Sequence, residues 1–244
     1  MHIFADEHIG DPQCDFKRLM SRIGYIKDKP NAYCILNGDL MDNATTTSLG
    51  DTYTATINPK EQLDSLYGLF EPIKDKILTI TQGNHENRTY KKEGLEISGI
   101  LANYLGIPHL YSPTSSFLFI RFGTPKDGKG RDNYKLCYTM YCLHGCGGGR
   151  KEGAKINRLV DLSSIIDADV YVHSHTHLPA IVKNSYFRVN KANLSVTPVD
   201  KLFVNNAANM NYGGYGEAQE YKPNSKTTPI IYLNGKIKEM SATL

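Results

Sequence analysis

Five short polar blocks contain most of the residues in this chain that could do chemistry. They are Asp6-Glu7-His8, Gly38-Asp39, Gly83-Asn84-His85-Glu86, the isolated His144, and His173-Ser174-His175-Thr176-His177. Each block follows a short apolar run that is typical of a β-strand, so each lies where a strand gives way to a loop. Because open α/β sheets bind ligands at the carboxyl ends of their strands, we expect the five blocks to converge on one crevice.

The side chains in these blocks are carboxylates, a carboxamide and imidazoles, all of which bind divalent cations. Asp6 and His8 are two residues apart. On an extended segment their side chains therefore point to the same side and can hold one ion. Oxygen and nitrogen ligands in this number suit two cations close together, the arrangement that enzymes use for phosphoryl hydrolysis. Without a thiolate among them, the ligands are compatible with Mn, Fe, Zn, Ni or Co.

The elements that position these blocks alternate between strand and helix in the first part of the chain. Apolar residues recur at helical spacing over residues 16–26, 63–70 and 97–105. The second of these helices has a clear start, because Asn58-Pro59 and the following residues match an N-cap, a proline in the first turn and a capping box completed by Glu61.

The second half of the sequence is richer in strands. Residues 116–122 and 135–143 are predicted strands joined by a polar loop that contains several glycines. A helix is predicted around 156–163. The end of the chain is predicted to form a hairpin with a type I′ turn at Asn234-Gly235. The periodicity of the whole chain predicts an α/β fold, and its length and lack of a linker predict a single domain over residues 1–244.

Composition narrows the functional classes further. Apolar residues make up 40% of the chain and charged residues 22%, which is typical of a globular protein. The formal charge of +3, from 28 basic and 25 acidic residues, neither requires nor excludes a nucleic-acid partner. No apolar stretch is long enough to span a bilayer and no signal peptide is evident, so we expect a cytoplasmic protein. Five cysteines without paired C-x-x-C spacing predict free thiols.

Taken in order, the blocks resemble the signature of the calcineurin-like metallophosphoesterases, which reads D-x-H, G-D-x-x-D, G-N-H-E, H and G-H-x-H. The resemblance runs from Asp6 to His177, with Ser174 in place of the last glycine. It implies a four-layer αββα sandwich of two mixed β-sheets flanked by helices. It also implies a metal-dependent phosphoric ester hydrolase with two divalent metal ions, of which manganese is our expectation.

The resemblance also implies a role for each residue. Asp6, His8 and His177 would bind the first metal, Asn84, His144 and His175 the second, and Asp39 would bridge the two. His85, the neighbour of a ligand, would be the general acid that protonates the leaving group, while water activated between the metals attacks phosphorus.

Four further residues are candidates for substrate binding. Arg88 and Arg150 lie close in sequence to the catalytic blocks and could grip phosphate oxygens. Tyr212 and Tyr215 occur in a glycine-rich segment and could stack on bases.

Several functions are compatible with this family. A phosphodiesterase or nuclease acting on nucleic acid or nucleotides is our first hypothesis, because Asn43 follows the G-D-x-x-D block where protein phosphatases carry a phosphate-binding arginine. A phosphomonoesterase, including a protein phosphatase, is the alternative among enzymes. A non-catalytic scaffold with this fold is the alternative outside them, and it is disfavoured because the full ligand set is present. The sequence does not identify an oligomeric state.

Overall fold

The computed structural model describes residues 1–45, 48, 52–124 and 133–244. The strands are β1 (His2–Phe4), β2 (Cys34–Asn37), β3 (Ile77–Thr81), β4 (Tyr111–Ser112), β5 (Ser115–Thr124), β6 (Asn133–Leu143), β7 (Val170–His173), β8 (Ala180–Asn190), β9 (Ser195–Asn205), β10 (Ile230–Leu233) and β11 (Met240–Thr243). The helices are α1 (Phe16–Asp28), α2 (Pro59–Phe70), α3 (Glu86–Glu93), α4 (Ile97–Tyr104), α5 (Glu152–Val160) and α6 (Gly214–Ala218). Short 3₁₀ helices span Glu71–Lys76, Pro108–Leu110 and Asp161–Ser164.

Two mixed sheets form the centre of the molecule. The first has the order β11-β10-β1-β2-β3-β4. In it β1 to β4 run parallel, β10 pairs antiparallel with β1, and β11 pairs antiparallel with β10. The second has the order β5-β6-β7-β9-β8, with β6, β7 and β9 parallel and both edge strands antiparallel. The predicted loop between β5 and β6 falls largely on residues 125–132, which lie outside the described residues.

Three apolar clusters hold four layers together. Between the sheets, Ile3 and Ile35 of the first sheet pack with Met140 and Val172 of the second. On the outer face of the first sheet, the cluster combines strand residues such as Phe4, Leu36 and Ile80 with the buried residues of α1, α2 and α4. On the outer face of the second sheet, α5 and the turn after it contribute Leu159 and Leu162. The fold is therefore the expected αββα sandwich.

Of two local predictions from the sequence, the structure confirms the helix cap and contradicts the turn. The capping box of α2 is present, with the Asn58 side chain accepting a hydrogen bond from the Glu61 amide and the Glu61 carboxylate accepting one from the Asn58 amide. The prediction of a type I′ turn at Asn234-Gly235 is wrong, because β10 and β11 are joined by a six-residue loop over 234–239. The hydroxyl group of Tyr138 on the second sheet contacts three backbone carbonyls of this loop, and these long-range contacts override the local turn preference.

All five cysteines are free thiols, as the sequence predicted. Within the described ranges, no helix is both long enough and apolar enough to cross a membrane.

Candidate metal centre and substrate cavity

The five polar blocks meet at the carboxyl ends of β1, β2, β3, β6 and β7, on one edge shared by both sheets. Their potential ligand atoms form three groups, each with all atoms within 4.8 Å of one another. The groups are Asp6 with His8 and His177, His8 with Asp39 and His85, and Asp39 with His144 and His175. The first group contains the residues predicted for the first metal, and the third contains residues predicted for the second. Asp39 shares one group with His8 and another with His144.

Asn84 joins the group on the β6 side. Its carboxamide Oδ1 lies 3.2 Å from Nε2 of His144. The same Nε2 lies 3.1 Å from Oδ2 of Asp39, and Nδ1 of His144 lies 2.8 Å from the backbone carbonyl oxygen of Asn37. The contact to a backbone carbonyl orients the His144 ring so that Nε2 faces the carboxylate and the carboxamide.

The backbone at the ligands adopts a conformation that side chains rarely tolerate. Left-handed φ angles occur at Asp6 (55°), His8 (47°), Asp39 (49°), His175 (63°) and His177 (57°). Such a conformation costs about 1–2 kcal/mol for a residue other than glycine. The expectation that Asp6 and His8 converge because their segment is extended is therefore wrong, since left-handed turns immediately after the strand aim these side chains inward. Strain concentrated in this way marks a functional site.

Two glycines allow the blocks to approach one another closely. A Cβ atom added at Gly83 would collide with the backbone and carboxylate of Asp39. At Gly38, where φ is 80°, it would come within 2.8 Å of Nδ1 of His144. These positions explain why glycine precedes both Asp39 and Asn84 in the sequence.

Carboxylates and imidazoles at the centre lie close enough to shift one another's pKa values. Burial alone would raise the pKa of Asp6, but the imidazoles of His177 and His144 lower it to about 2. Burial would lower the pKa of His144, but the carboxylate of Asp39 raises it to about 10. Burial lowers the pKa of His8 to about 3, which keeps that imidazole in the neutral form that binds metals.

Three neighbouring residues, Asp42, Arg88 and His8, contact the ring of His85 beside the predicted ligands. Its Nδ1 lies 2.6 Å from the backbone carbonyl oxygen of Asp42 and 3.4 Å from a carboxylate oxygen of the same residue. Its Nε2 lies 2.9 Å from Nη2 of Arg88, and its ring packs edge-on against His8 with centroids 4.4 Å apart. Burial would lower the pKa of His85, but the nearby carboxylates of Asp42 and Asp39 raise it above its usual value. Nε2 of His85 lies 3.9 Å from Oδ2 of Asp39, so this edge of the ring faces the centre.

Asn43 does not occupy the position of a phosphate-binding side chain. It is buried, and its Nδ2 donates hydrogen bonds to the carbonyl oxygen of His85 (2.7 Å) and to Oγ1 of Thr89 (2.9 Å). Asn43 thus braces the backbone of the proposed general acid, a role that the sequence pattern did not indicate.

Glu86 is the second residue whose role emerged only from the structure. Its buried carboxylate accepts hydrogen bonds from the backbone amides of Asp39 (3.0 Å), Leu40 (2.7 Å), Met41 (3.2 Å) and Gly83 (3.0 Å). Burial raises the pKa of Glu86, and the Asp39 carboxylate adds to this effect. One carboxylate therefore ties the loop that presents Asp39 to the turn that presents Asn84.

We expect Glu86→Gln to destabilise the fold by about 2–4 kcal/mol, because an amide nitrogen would face backbone donors and leave them without an acceptor. Urea unfolding followed by circular dichroism measures this loss. Glu93→Gln, an exposed change in the same helix, is the matched control and should stay within about 0.5 kcal/mol of the wild type. Equal midpoints for Glu86→Gln and the wild type would show that the four contacts do not hold these loops.

A cavity of about 470 Å³ opens beside the centre. Arg88, Tyr212 and Tyr215, three of the four candidates for substrate binding, line it. Tyr215 lies in the short helix α6 and not in an irregular loop. Arg150 lies outside the lining, where its guanidinium donates to the carbonyl oxygen of Gln219 (3.0 Å) and stands 5.2 Å from the Tyr221 ring centroid.

Lys155 of α5 also lines the cavity, and the sequence analysis did not single it out. Its spacing within an amphipathic helix resembles that of any solvated lysine, so no local signal marks it. His173, the additional histidine of the last block, is buried with its Nδ1 2.7 Å from Oδ1 of Asn205, in agreement with a packed histidine.

A calcineurin-like phosphoesterase family model matches residues 8–179. Comparison with curated protein sequences found no match.

Among solved structures, a predicted phosphoesterase from Streptococcus pneumoniae is similar at 13% identity and a TM-score of 0.34, over 88% of this chain and 75% of that one. Vps29 from Chaetomium thermophilum is similar at 13% identity and a TM-score of 0.41, over 88% and 75%. Vacuolar protein sorting 29 from Cryptosporidium parvum is similar at 14% identity and a TM-score of 0.39, over 99% and 96%.

The match of the family model covers well over half of the chain, from His8 at the end of the first polar block through the last block. The chain belongs to the calcineurin-like phosphoesterase family.

Proposed function

We propose that this protein is a metal-dependent phosphoric ester hydrolase that works with two divalent cations. The observation that carries the proposal is the convergence of three groups of ligand atoms, within 4.8 Å in each group, of which two contain Asp39. Asp6, His8 and His177 would hold one cation, and Asn84, His144 and His175 the other, with Asp39 shared.

The residues fit such cations in a way that ordinary packing does not explain. Nε2 of His8 is buried and has no hydrogen-bond partner. Oδ1 of Asp6 is buried and has no partner in hydrogen-bond geometry, although Nε2 of His177 lies 3.2 Å from it. Buried polar atoms are almost always hydrogen-bonded, and a bound ion is one of the accepted reasons for an exception. Asp6 and His8 belong to the same ligand group.

When bound, two divalent cations supply positive charge to the phosphoryl oxygens and make attack by water possible at neutral pH. The chain's own contribution is positioning and proton transfer. His85, held by Asp42, would donate a proton to the leaving oxygen from its Nε2 edge. Arg88, within 2.9 Å of that Nε2, would bind a phosphoryl oxygen at the same end of the cavity.

The substrate class that we propose is the phosphodiester, with a nucleotide or nucleic acid as the natural source. Tyr212 and Tyr215 line the cavity beyond the ligands and are about half exposed, at 50% and 45%. Exposed aromatic rings beside a phosphate site can stack on a base. A diester carries one negative charge fewer than a monoester, and its second substituent could contact these two tyrosines.

The phosphomonoesterase alternative has one observation in its favour. Arg88 places a guanidinium beside His85, where it could neutralise the additional charge of a monoester dianion. A comparison of two model substrates decides between the two classes.

We expect the Mn-loaded protein to cleave bis-(p-nitrophenyl) phosphate with a higher kcat/KM than p-nitrophenyl phosphate, and chelation to abolish both reactions. Tyr215→Ala should lower kcat/KM for the diester by roughly tenfold, the scale of one lost stacking contact, and leave the monoester nearly unaffected. Tyr232→Ala, on β10 and outside the cavity lining, is the matched control. A clear preference for the monoester, with no effect of Tyr215→Ala on either substrate, would support the phosphomonoesterase.

A further inference from the structure

The loop that carries His175 and His177 supplies a predicted ligand to each half of the metal centre. It spans residues 174–179 between β7 and β8 and contains no helix or strand. His175 shares a ligand group with His144, and His177 shares one with Asp6. Whatever fixes the conformation of this loop therefore acts on both groups at once.

The backbone of the loop is strained at these two histidines. The φ angle is 63° at His175 and 57° at His177. Both values lie in the left-handed region, which costs about 1–2 kcal/mol for a residue other than glycine. Strained residues persist only where the surrounding structure holds them in place. Contacts to the residues next to His175 and His177 are therefore the ones that can maintain this conformation.

Asn205, the last residue of β9, makes such contacts. Its side chain is buried, and its Nδ2 donates hydrogen bonds to Oγ1 of Thr176 (2.8 Å) and to the carbonyl oxygen of Leu178 (2.5 Å). Thr176 precedes His177 and Leu178 follows it. One carboxamide group thus contacts the chain on both sides of His177, and through Thr176 it also contacts the residue that follows His175.

The oxygen of the same carboxamide extends the network to His173. Because the Leu178 carbonyl oxygen can only accept a hydrogen bond, Nδ2 of Asn205 faces the loop and Oδ1 faces Nδ1 of His173, 2.7 Å away. Nδ1 of His173 is therefore the donor in that contact. Nε2 of the same ring faces Gly145, where an added Cβ would collide with it. Gly145 directly follows His144, so the network joins the ends of β6 and β7 to the loop.

Both ends of the Asn205 side chain are satisfied, Oδ1 by His173 and Nδ2 by Thr176 and Leu178. Buried polar networks rigidify a structure when their members are satisfied. An apolar side chain in place of Asn205 would leave a buried carbonyl oxygen and a buried imidazole without these partners, which is unfavourable. A carboxamide is therefore suited to fix the loop at this position.

We infer that Asn205 is a positioning residue that preorganises His175 and His177 for the two cations, with His173 as its hydrogen-bonding partner. Asn205 acts through the loop, and the ligand atoms are those of the two histidines. The inference rests on the proposed function, because it concerns ligands of the same two cations. A loop that is already ordered binds an ion more tightly, since no further ordering is required on binding.

The test measures the affinity of the metal-free full chain for Mn²⁺, with free Mn²⁺ followed by electron paramagnetic resonance. Asn205→Ala should raise the dissociation constant by about 10–100-fold at both binding steps, the usual effect of losing a residue that orients metal ligands. Circular dichroism at the same temperature establishes whether the metal-free variant is folded.

A matched pair at Thr176 tests the same contact with a smaller change, and it decides the question if Asn205→Ala is unfolded. Thr176→Val removes the hydroxyl acceptor with little change of shape and should weaken Mn²⁺ binding in the same direction. Thr176→Ser keeps the hydroxyl group and should bind Mn²⁺ like the wild type. Tyr138→Phe removes buried hydrogen bonds to the 234–239 loop, so it should lower the melting temperature and leave the Mn²⁺ affinity unchanged.

The outcomes for this inference and for the proposed function are distinguishable. If the wild type binds two Mn²⁺ ions but cleaves no phosphate ester, the proposed function fails, and weakened binding by Asn205→Ala and Thr176→Val still supports the positioning role. If the wild type cleaves phosphate esters and both variants bind Mn²⁺ as tightly as the wild type, the positioning role is overturned and the proposed function stands. The positioning role is also overturned if Tyr138→Phe weakens binding as much as they do. A wild type that binds no Mn²⁺ would overturn both.

Discussion

Replacing Asp39 by asparagine is expected to remove both metal binding and hydrolysis. In the structure Asp39 faces two ligand groups, and its Oδ2 lies 3.1 Å from Nε2 of His144 and 3.9 Å from Nε2 of His85. Two cations at close range repel each other, and a shared carboxylate offsets part of that repulsion. Without it we expect kcat to fall by at least about 1,000-fold, the upper range for loss of a major electrostatic contribution.

Metal analysis after dialysis against Mn measures the cause directly. The wild type should retain two ions per chain, and Asp39→Asn fewer than one. Asparagine keeps the volume of the side chain and an oxygen for the backbone amide of His85, which donates to Oδ1 of Asp39 at 2.8 Å. A cooperative thermal transition would confirm that the variant is folded. Retention of two ions with full activity would refute the shared ligand, and fewer than one ion in the wild type would refute the two-metal centre.

His85→Ala should behave in the opposite way, with metal content preserved and turnover reduced. Loss of a general acid lowers rates by about 10²–10⁴-fold. The structure makes this test necessary, because His85 lies within 4.8 Å of the ligand atoms of His8 and Asp39 and could by distance alone bind an ion. The contacts of its Nδ1 with the backbone carbonyl and the carboxylate of Asp42 stabilise a protonated ring and favour the proton-transfer role.

The leaving group provides a second readout. A p-nitrophenolate ion departs readily without a proton, whereas an alkoxide requires one, so His85→Ala should impair an alkyl ester more than an aryl ester. His109→Ala, an exposed histidine in the 3₁₀ helix Pro108–Leu110, is the control and should change neither rate. Loss of metal from His85→Ala would reassign His85 as a ligand, whereas equal impairment of both esters with metal retained would refute its role as the general acid.

Sequence reasoning succeeded where the deciding interactions are local. The start of α2 was predictable because the capping box joins Asn58 to Glu61 within one turn of helix. The strand ends were predictable because apolar runs stop abruptly at polar residues, and parallel strands bring their carboxyl ends to one edge. The Asn234-Gly235 turn failed for the complementary reason, since its loop is held by the hydroxyl group of Tyr138, about a hundred residues away in the chain.

The same distinction applies to the site. The amino-acid sequence by itself determined the α/β class and the set of residues that converge, because residue types and their order behind strands carry that information. The αββα architecture was expected only through the resemblance of the ordered polar blocks to a known family. Only the tertiary structure decided how the residues converge. It put Asp6 and His8 into left-handed turns, used the Glu86 carboxylate to join two loops, and turned Asn43 towards the backbone of His85.

The cavity illustrates the limit most clearly. Arg150 and Lys155 are both basic residues that follow the fourth polar block, and nothing in their spacing distinguishes them. In the folded chain, Arg150 is engaged by Gln219 and Tyr221 at the rim, whereas Lys155 lines the wall. Which cation faces a substrate depends on contacts between segments that are distant in the chain, and such contacts exist only once the two sheets have packed together.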